Sequence, residues 1–212
     1  MTRPPNISKL TDALHRLFVQ SEHPDVLRIL ENWPETALPI RAQPAQGFPV
    51  VAYIVQALSN APNETTPLVC ALAQEAELLS WNQTYKKEDL GEEFLALYGW
   101  TTMFGSKGYI ESAHLLSGSL LLGPGIEYPV HKHSPEEIYV VLSGEASWKI
   151  GEADWQVKPA GTIIHNPPWQ LHGMRTDRGQ PLLVAYLWNA GEVEKSQILG
   201  KHAVLRPERK SL

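Results

Sequence analysis

Residues 128–144 read YPVHKHSPEEIYVVLSG. His131 and His133 stand one residue apart, Glu137 follows four residues after the second histidine, and Tyr128 and Tyr139 flank the group. In an extended strand, residues i and i+2 share a face. His131 and His133 therefore point one way and Lys132 the other. Ser134-Pro135 interrupts the ladder and lets the chain turn, which returns Glu137 to the same centre with Tyr139 on its face. Two imidazoles and a carboxylate at one point suit Fe(II), Mn(II), Zn(II), Ni(II) or Co(II) and leave positions open for water or substrate. Taken singly, a histidine on a half-buried strand reads more readily as packing or solvation, and a tyrosine there as packing. Convergence of several polar groups in one concave place changes that reading.

The elements that must hold these residues differ along the chain. Ile7, Leu10, Leu14, Leu17 and Phe18 recur at three- and four-residue steps, one face of a helix. Pro24 ends that segment, and Asp25 is expected to cap a short helix running to Leu30. Residues 34–49 are proline-rich and irregular. The run VVAYIVQAL at 50–58 suits a helix or a buried strand, and its helical surroundings favour helix. TPLVCALAQEAELLS at 66–80 is the clearest helix, with Thr66 as cap and Pro67 in the first turn. From about residue 109, short apolar runs at 115–122, 137–142, 146–150, 162–165 and 182–188 alternate with Gly and Pro turns. That pattern predicts an antiparallel sandwich or barrel. The expected organisation is a helical N-terminal extension over 1–85, a connecting wrap over 86–108, and a β-barrel with a C-terminal tail over 109–212.

The glycine frame around the histidines is similar to a known one. Gly125, five residues, His131-x-His133, three residues, Glu137, six residues and Gly144 match the first motif of the cupin superfamily at every spacing. In the second motif, Gly161, Pro167 and His172 fall in register, while Trp169 stands in place of a glycine and Thr176 in place of an asparagine. The resemblance implies a mainly β fold, a cupin jelly-roll barrel preceded by the α-helical extension. It also implies His172 as a fourth ligand beside His131, His133 and Glu137. Trp169 implies a bulkier turn with its indole toward the pocket. His165, in TIIHNPP before the turn, is placed behind the ligands or in the pocket wall rather than on the metal. His15, His23, His114 and His202 default to surface or packing.

A narrower resemblance covers roughly residues 78–190. LLSWNQTY, FLALYGWTTMFG, SGSLLLGPGIEYPVHKH, EEIYVVLSGEASW, HNPPWQLHGMRT and PLLVAYLWNAG are together similar to the cupin-type dimethylsulfoniopropionate lyases. That family splits a β-sulfonium carboxylate into acrylate and dimethyl sulfide. The resemblance implies one divalent transition metal, Fe2+, Mn2+ or Zn2+, on the four ligands. It implies Tyr139 as the base for the proton alpha to the carboxylate, with Tyr128 assisting or holding substrate. A phenol with a pKa near ~10 is mostly protonated at neutral pH, and a neighbouring cation favours the phenolate. Trp169, Tyr186 and Trp188 are candidates for an aromatic wall against the sulfonium cation. Trp148 and Trp155 read as barrel core, and Cys70 as helix core.

Composition excludes several other functions. The chain has 212 residues, 43% hydrophobic, and a net charge of −5 with both signs scattered, which supports a folded core and gives no basic face for nucleic acid. Cys70 is the lone cysteine, so no internal disulfide forms. The absence of an apolar leader or a long apolar run points to a soluble, cytoplasmic protein with a small-molecule substrate and no membrane partner. The N-terminal helices have three open placements: over the pocket mouth, over a sheet edge, or in a homodimer contact. Two other functions stay open, a cupin dioxygenase or isomerase and a non-catalytic small-molecule sensor, because fold and motif do not settle activity.

Overall fold

The computed structural model describes residues 3–34, 38–191 and 196–198; His202 and most of the expected C-terminal tail lie outside them. The helical expectation for the N-terminal part is met with shifted boundaries. Helix α1 (Ile7–Gln20) is capped by Asn6, whose side chain accepts from the Lys9 amide, and it buries Ile7, Leu10, Leu14 and Phe18. Pro24 opens α2 (Pro24–Leu30) rather than only ending α1, and the N-cap position falls to His23, with Asp25 in the first turn. A 3₁₀ turn at Pro49–Tyr53 runs into α3 (Ile54–Ser59). Helix α4 (Thr66–Glu75) is shorter than its pattern, and Thr65 rather than Thr66 takes the N-cap position. The Thr65 hydroxyl makes no cap hydrogen bond; it donates to the Leu142 carbonyl at 2.5 Å, which ties the helix start to the sheet below.

The segment expected as a wrap is structured, and the strands begin before residue 109. It contains α5 (Lys87–Ala96) and β1 (Tyr98–Phe104). Strand β1 is almost wholly buried, so it shows no in-out alternation by which its sequence could be recognised. Among the described residues nine strands follow and make ten with β1: β2 (Leu116–Leu122), β3 (Glu127–Lys132), β4 (Glu137–Ser143), β5 (Glu145–Ile150), β6 (Gln156–Pro159), β7 (Ile163–Asn166), β8 (His172–Thr176), β9 (Leu182–Trp188) and β10 (Gln197–Ile198). They form two five-stranded sheets in the orders β1-β2-β9-β4-β7 and β10-β3-β8-β5-β6, with the partners antiparallel. From β2 to β9 the chain changes sheet at every connection except the β5–β6 hairpin. This is the jelly roll of two Greek keys, the cupin-type barrel.

The first sheet is covered on both sides. Along β4, Ile138, Val140 and Leu142 pack with α1–α4, while Tyr139 and Val141 face the barrel interior. Along β9, Leu183, Ala185 and Leu187 meet the helices, and Leu182, Val184, Tyr186 and Trp188 face inward. The helical extension is therefore the outer half of a core, and it covers a sheet face. At Gly144, between β4 and β5, the backbone has φ +78°, and a Cβ would lie 2.2 Å from the Pro181 carbonyl oxygen, so the turn has no room for a side chain. No helix among the described residues is long and apolar enough to cross a membrane.

Candidate metal centre

Strands from both sheets deliver the ligand candidates. His131 lies on β3 and His133 just beyond its end, Glu137 opens β4, and His172 opens β8. His131 is the cross-strand partner of His172. The ligand nitrogens of His131, His133 and His172 lie within 4.8 Å of one another. Glu137 Oε2 is 3.3 Å from His133 Nε2 and 3.1 Å from His172 Nε2. All four side chains are buried.

Local backbone turns fix the ring orientation. His131 Nδ1 is 2.7 Å from the Pro129 carbonyl, His133 Nδ1 is 2.9 Å from that of Pro135, and His172 Nδ1 is 2.8 Å from that of Gln170. A carbonyl only accepts, so each Nδ1 carries the proton and donates it. Each Nε2 then turns a lone pair toward the shared centre. Burial pushes the His131 imidazole well below its ordinary pKa, which keeps that ring neutral. Burial opposes ionisation of Glu137, but contacts with His133 and His172 outweigh it and hold the carboxyl well below the usual range. His172 Nε2 is buried and makes no hydrogen bond, despite its 3.1 Å distance from Glu137 Oε2. Three imidazoles and one carboxylate converging in this way are the donor set of a divalent transition metal. The residues present fit that group.

Further side chains hold the ligands. Trp188 Nε1 donates to Glu137 Oε1 at 2.5 Å, and its ring stacks on His133 with centroids 4.2 Å apart. Asn166 Nδ2 donates to Glu137 Oε2 at 3.1 Å. Asn166 was not foreseen; its signal was period two, since it stands opposite Glu137 across the β4–β7 ladder.

The centre opens into a cavity lined by Tyr98, Trp100, Tyr128, Tyr139, Tyr186 and Trp188 among others. Tyr139 and Tyr186 are cross-strand partners, as are Glu137 and Trp188, so β4 and β9 present these four side chains together. The Tyr186 hydroxyl is 2.8 Å from Thr102 Oγ1 and donates to the Thr101 carbonyl at 3.0 Å. Burial, then the charge and hydrogen bond of Glu137, push the Tyr139 phenol well above its ordinary pKa. Burial does the same to Tyr128, whose ring meets His131 edge-on at 4.6 Å.

Two expected pocket residues lie elsewhere. His165 points to the other face of β7, where Nε2 is 2.7 Å from Glu136 Oε1 and Nδ1 is 3.4 Å from Asp25 Oδ2. Arg28 of α2 bridges the same two carboxylates, so this second group of metal-type donors already contains its cation. Strand alternation explains the miss, because Asn166 takes the inward position. Trp169 is 51% exposed and lies 5.8 Å from Lys132 Nζ. Its backbone keeps the left-handed φ of +63° that a glycine would adopt without strain. Its amide donates to the His133 carbonyl at 2.8 Å, so the turn supports the ligands through backbone while the indole faces water. Thr176, the other departure, caps the Gly123–Ile126 turn: its hydroxyl donates to the Gly123 carbonyl at 2.8 Å and accepts from the Ile126 amide at 2.9 Å. Trp148 is buried in the barrel as expected, whereas half-buried Trp155 lies on the surface under Arg175. Cys70 is only half-buried.

Comparisons with known proteins agree with this architecture. The dimethylsulfoniopropionate lyase family model matches residues 22–184. A curated relative, dimethylsulfoniopropionate lyase DddQ of Ruegeria pomeroyi, is 27% identical over 172 residues, covering 78% of this chain and 79% of its own. Among solved structures, a chain from the DMSP lyases RdDddP and RnDddQII superposes with a TM-score of 0.81 at 28% identity, covering 92% of this chain and 97% of that one. DMSP lyase DddQ from Ruegeria pomeroyi DSS-3 shares the fold at a TM-score of 0.74 and 20% identity, over 88% and 96% of the two chains. With its ligand candidates on one centre, its jelly-roll order, and a family model spanning most of its length, the chain belongs to the dimethylsulfoniopropionate lyase family.

Proposed function

We propose that this protein is a metal-dependent carbon–sulfur lyase that cleaves dimethylsulfoniopropionate to acrylate and dimethyl sulfide. The observation that carries the reading is Tyr139, whose phenol lines the same cavity as His131 and Glu137. His131, His133, Glu137 and His172 would hold the ion. A bound Fe2+, Mn2+ or Zn2+ would supply Lewis acidity, offsetting charge on the substrate carboxylate and favouring the Tyr139 phenolate. Without such a cation, burial keeps that phenol protonated.

The remaining steps belong to the chain's own side chains. Tyr139 Oη takes the proton from the carbon alpha to the carboxylate. The electron pair of that C–H bond becomes the second bond between the alpha and beta carbons. The bond from the beta carbon to sulfur breaks, and its pair leaves with sulfur as neutral dimethyl sulfide. A neutral leaving group needs no strong acid on its side. Tyr128 Oη holds the carboxylate end. Trp100, Tyr98 and Trp188 line the cavity and are the aromatic side chains available to the sulfonium, contacts worth roughly 0.5–2 kcal/mol each. Trp188 does this while orienting Glu137.

The test is headspace dimethyl sulfide from purified protein reconstituted separately with iron, manganese and zinc, with metal content measured on the same samples. Dimethyl sulfide and acrylate in equal amounts support the lyase. Oxygen uptake without elimination would instead assign a dioxygenase. Tyr139→Phe is expected to keep the metal and lose turnover by roughly 10²–10⁴-fold; unchanged turnover removes the base assignment.

A further inference from the structure

Tyr85 belongs to neither cupin motif. It lies in the connector between α4 and α5, far in sequence from the ligands, yet only 4% of its surface is exposed. Its ring packs against Phe94, Tyr98 and Tyr128 with centroids 6.3, 5.9 and 5.9 Å away. That packing fixes the ring, and phenylalanine would serve it equally. The hydroxyl is what packing does not explain. It lies 3.1 Å from the Tyr128 hydroxyl, with the Ser196 side chain beside it. Ser196 lines the cavity and immediately precedes β10, which pairs with β3 at His131. Three hydroxyls from three separate segments thus form one buried row ending at the ligand strand.

Direction matters in such a row. A hydroxyl has one proton to give. The Tyr98 hydroxyl also reaches Tyr128, but its proton is given to Thr84 Oγ1 at 3.1 Å. If Tyr85 donates to Tyr128, the Tyr128 proton is left to point into the cavity, and Ser196 satisfies the Tyr85 oxygen. Aligned donors in a chain strengthen one another. Without Tyr85, the Tyr128 hydroxyl could turn back into the wall.

We infer that Tyr85, backed by Ser196, is a positioning residue that aims the Tyr128 hydroxyl at the carboxylate of the bound substrate. This rests on the lyase reading. Tyr85 acts only through Tyr128, so its effect must vanish when the Tyr128 hydroxyl is absent.

The experiment is a double-mutant cycle on the full-length, metal-loaded protein with Tyr85→Phe, Tyr128→Phe and the double variant. It reads kcat/KM for dimethylsulfoniopropionate and the Kd of acrylate, with metal content and thermal stability as controls. Tyr85→Phe is expected to lower kcat/KM and weaken acrylate binding about tenfold with metal content unchanged. In the Tyr128→Phe background the same change is expected to move either quantity less than about twofold. Equal losses in both backgrounds, a single variant within twofold of wild type, or a loss accompanied by metal depletion overturns the inference. Ser196→Ala is expected to give a smaller loss of the same kind, and an effect that persists in Tyr128→Phe counts against the row. Wild-type protein that binds acrylate but releases no dimethyl sulfide sinks the lyase reading alone, and the binding cycle still decides Tyr85. Wild-type protein that neither reacts nor binds acrylate overturns both.

Discussion

A ligand histidine is a sequence feature only when its tautomer is set by something local. His131, His133 and His172 each lean Nδ1 on a carbonyl two residues away, at Pro129, Pro135 and Gln170. These contacts need no tertiary partner, and the short spacing places them in the sequence itself. Glu137 differs, because its orientation depends on Trp188 and Asn166, 51 and 29 residues distant. Trp188→Phe keeps a ring against His133 but removes the N–H that holds Oε1. It is expected to weaken metal affinity about 10–100-fold while leaving the fold intact, as loss of an outer partner of a ligand typically does. A metal titration by calorimetry checks this, and an affinity equal to wild type would show that Asn166 alone fixes the carboxylate.

The helices bear on the site by holding the sheet that carries Glu137 and Tyr139. Arg3 reaches Glu75 at the end of α4 with two hydrogen bonds, at 2.7 and 3.0 Å, and the Asn6 amide adds a third at 3.1 Å. The N-terminal segment is thereby pinned to α4. The Arg3 guanidinium first, against the cost of burial, holds the Glu75 carboxyl below its ordinary pKa. Because the folded value is the lower one, the stabilisation is present above the unfolded carboxylate range and is lost as pH falls through the folded value. Glu75→Gln is expected to lower the melting temperature at pH 7 by no more than about 4 °C, since Arg3 is half exposed and screened by water. That gap should close as the pH falls below about 4, and melting curves across the range read it directly. A gap that widens in acid would mean that Glu75 is held by something other than its charge.

At the scale of the whole molecule, the barrel brings together side chains from β3 and its end, β4 and β8, and buries them against one another. A cluster of that kind is costly to assemble without a cation, so binding of an ion there would be coupled to completing the fold. Removing the metal with a chelator is expected to lower the melting temperature by about 5–15 °C, the range that saturating ligand at 100–1,000 times its Kd gives for a chain of this size. His172→Ala should abolish that difference, and a melting temperature indifferent to chelation in wild type would deny the centre its ion. The sequence by itself determined the ligand candidates, the frame of glycines around them and the jelly-roll class, because strand alternation and tight turns are set by spacing over a few residues. It also showed a helical beginning through the period of Ile7, Leu10, Leu14 and Phe18. Only the tertiary structure decided that β1 starts at Tyr98, that His165 and the Trp169 indole face away from the cavity, that Asn166 reaches Glu137 and Tyr85 reaches Tyr128, and that Ser196 lines the cavity. Those outcomes depend on which face of a doubly covered sheet is inward and on which distant segments fold over the mouth, and no local period in the chain records either.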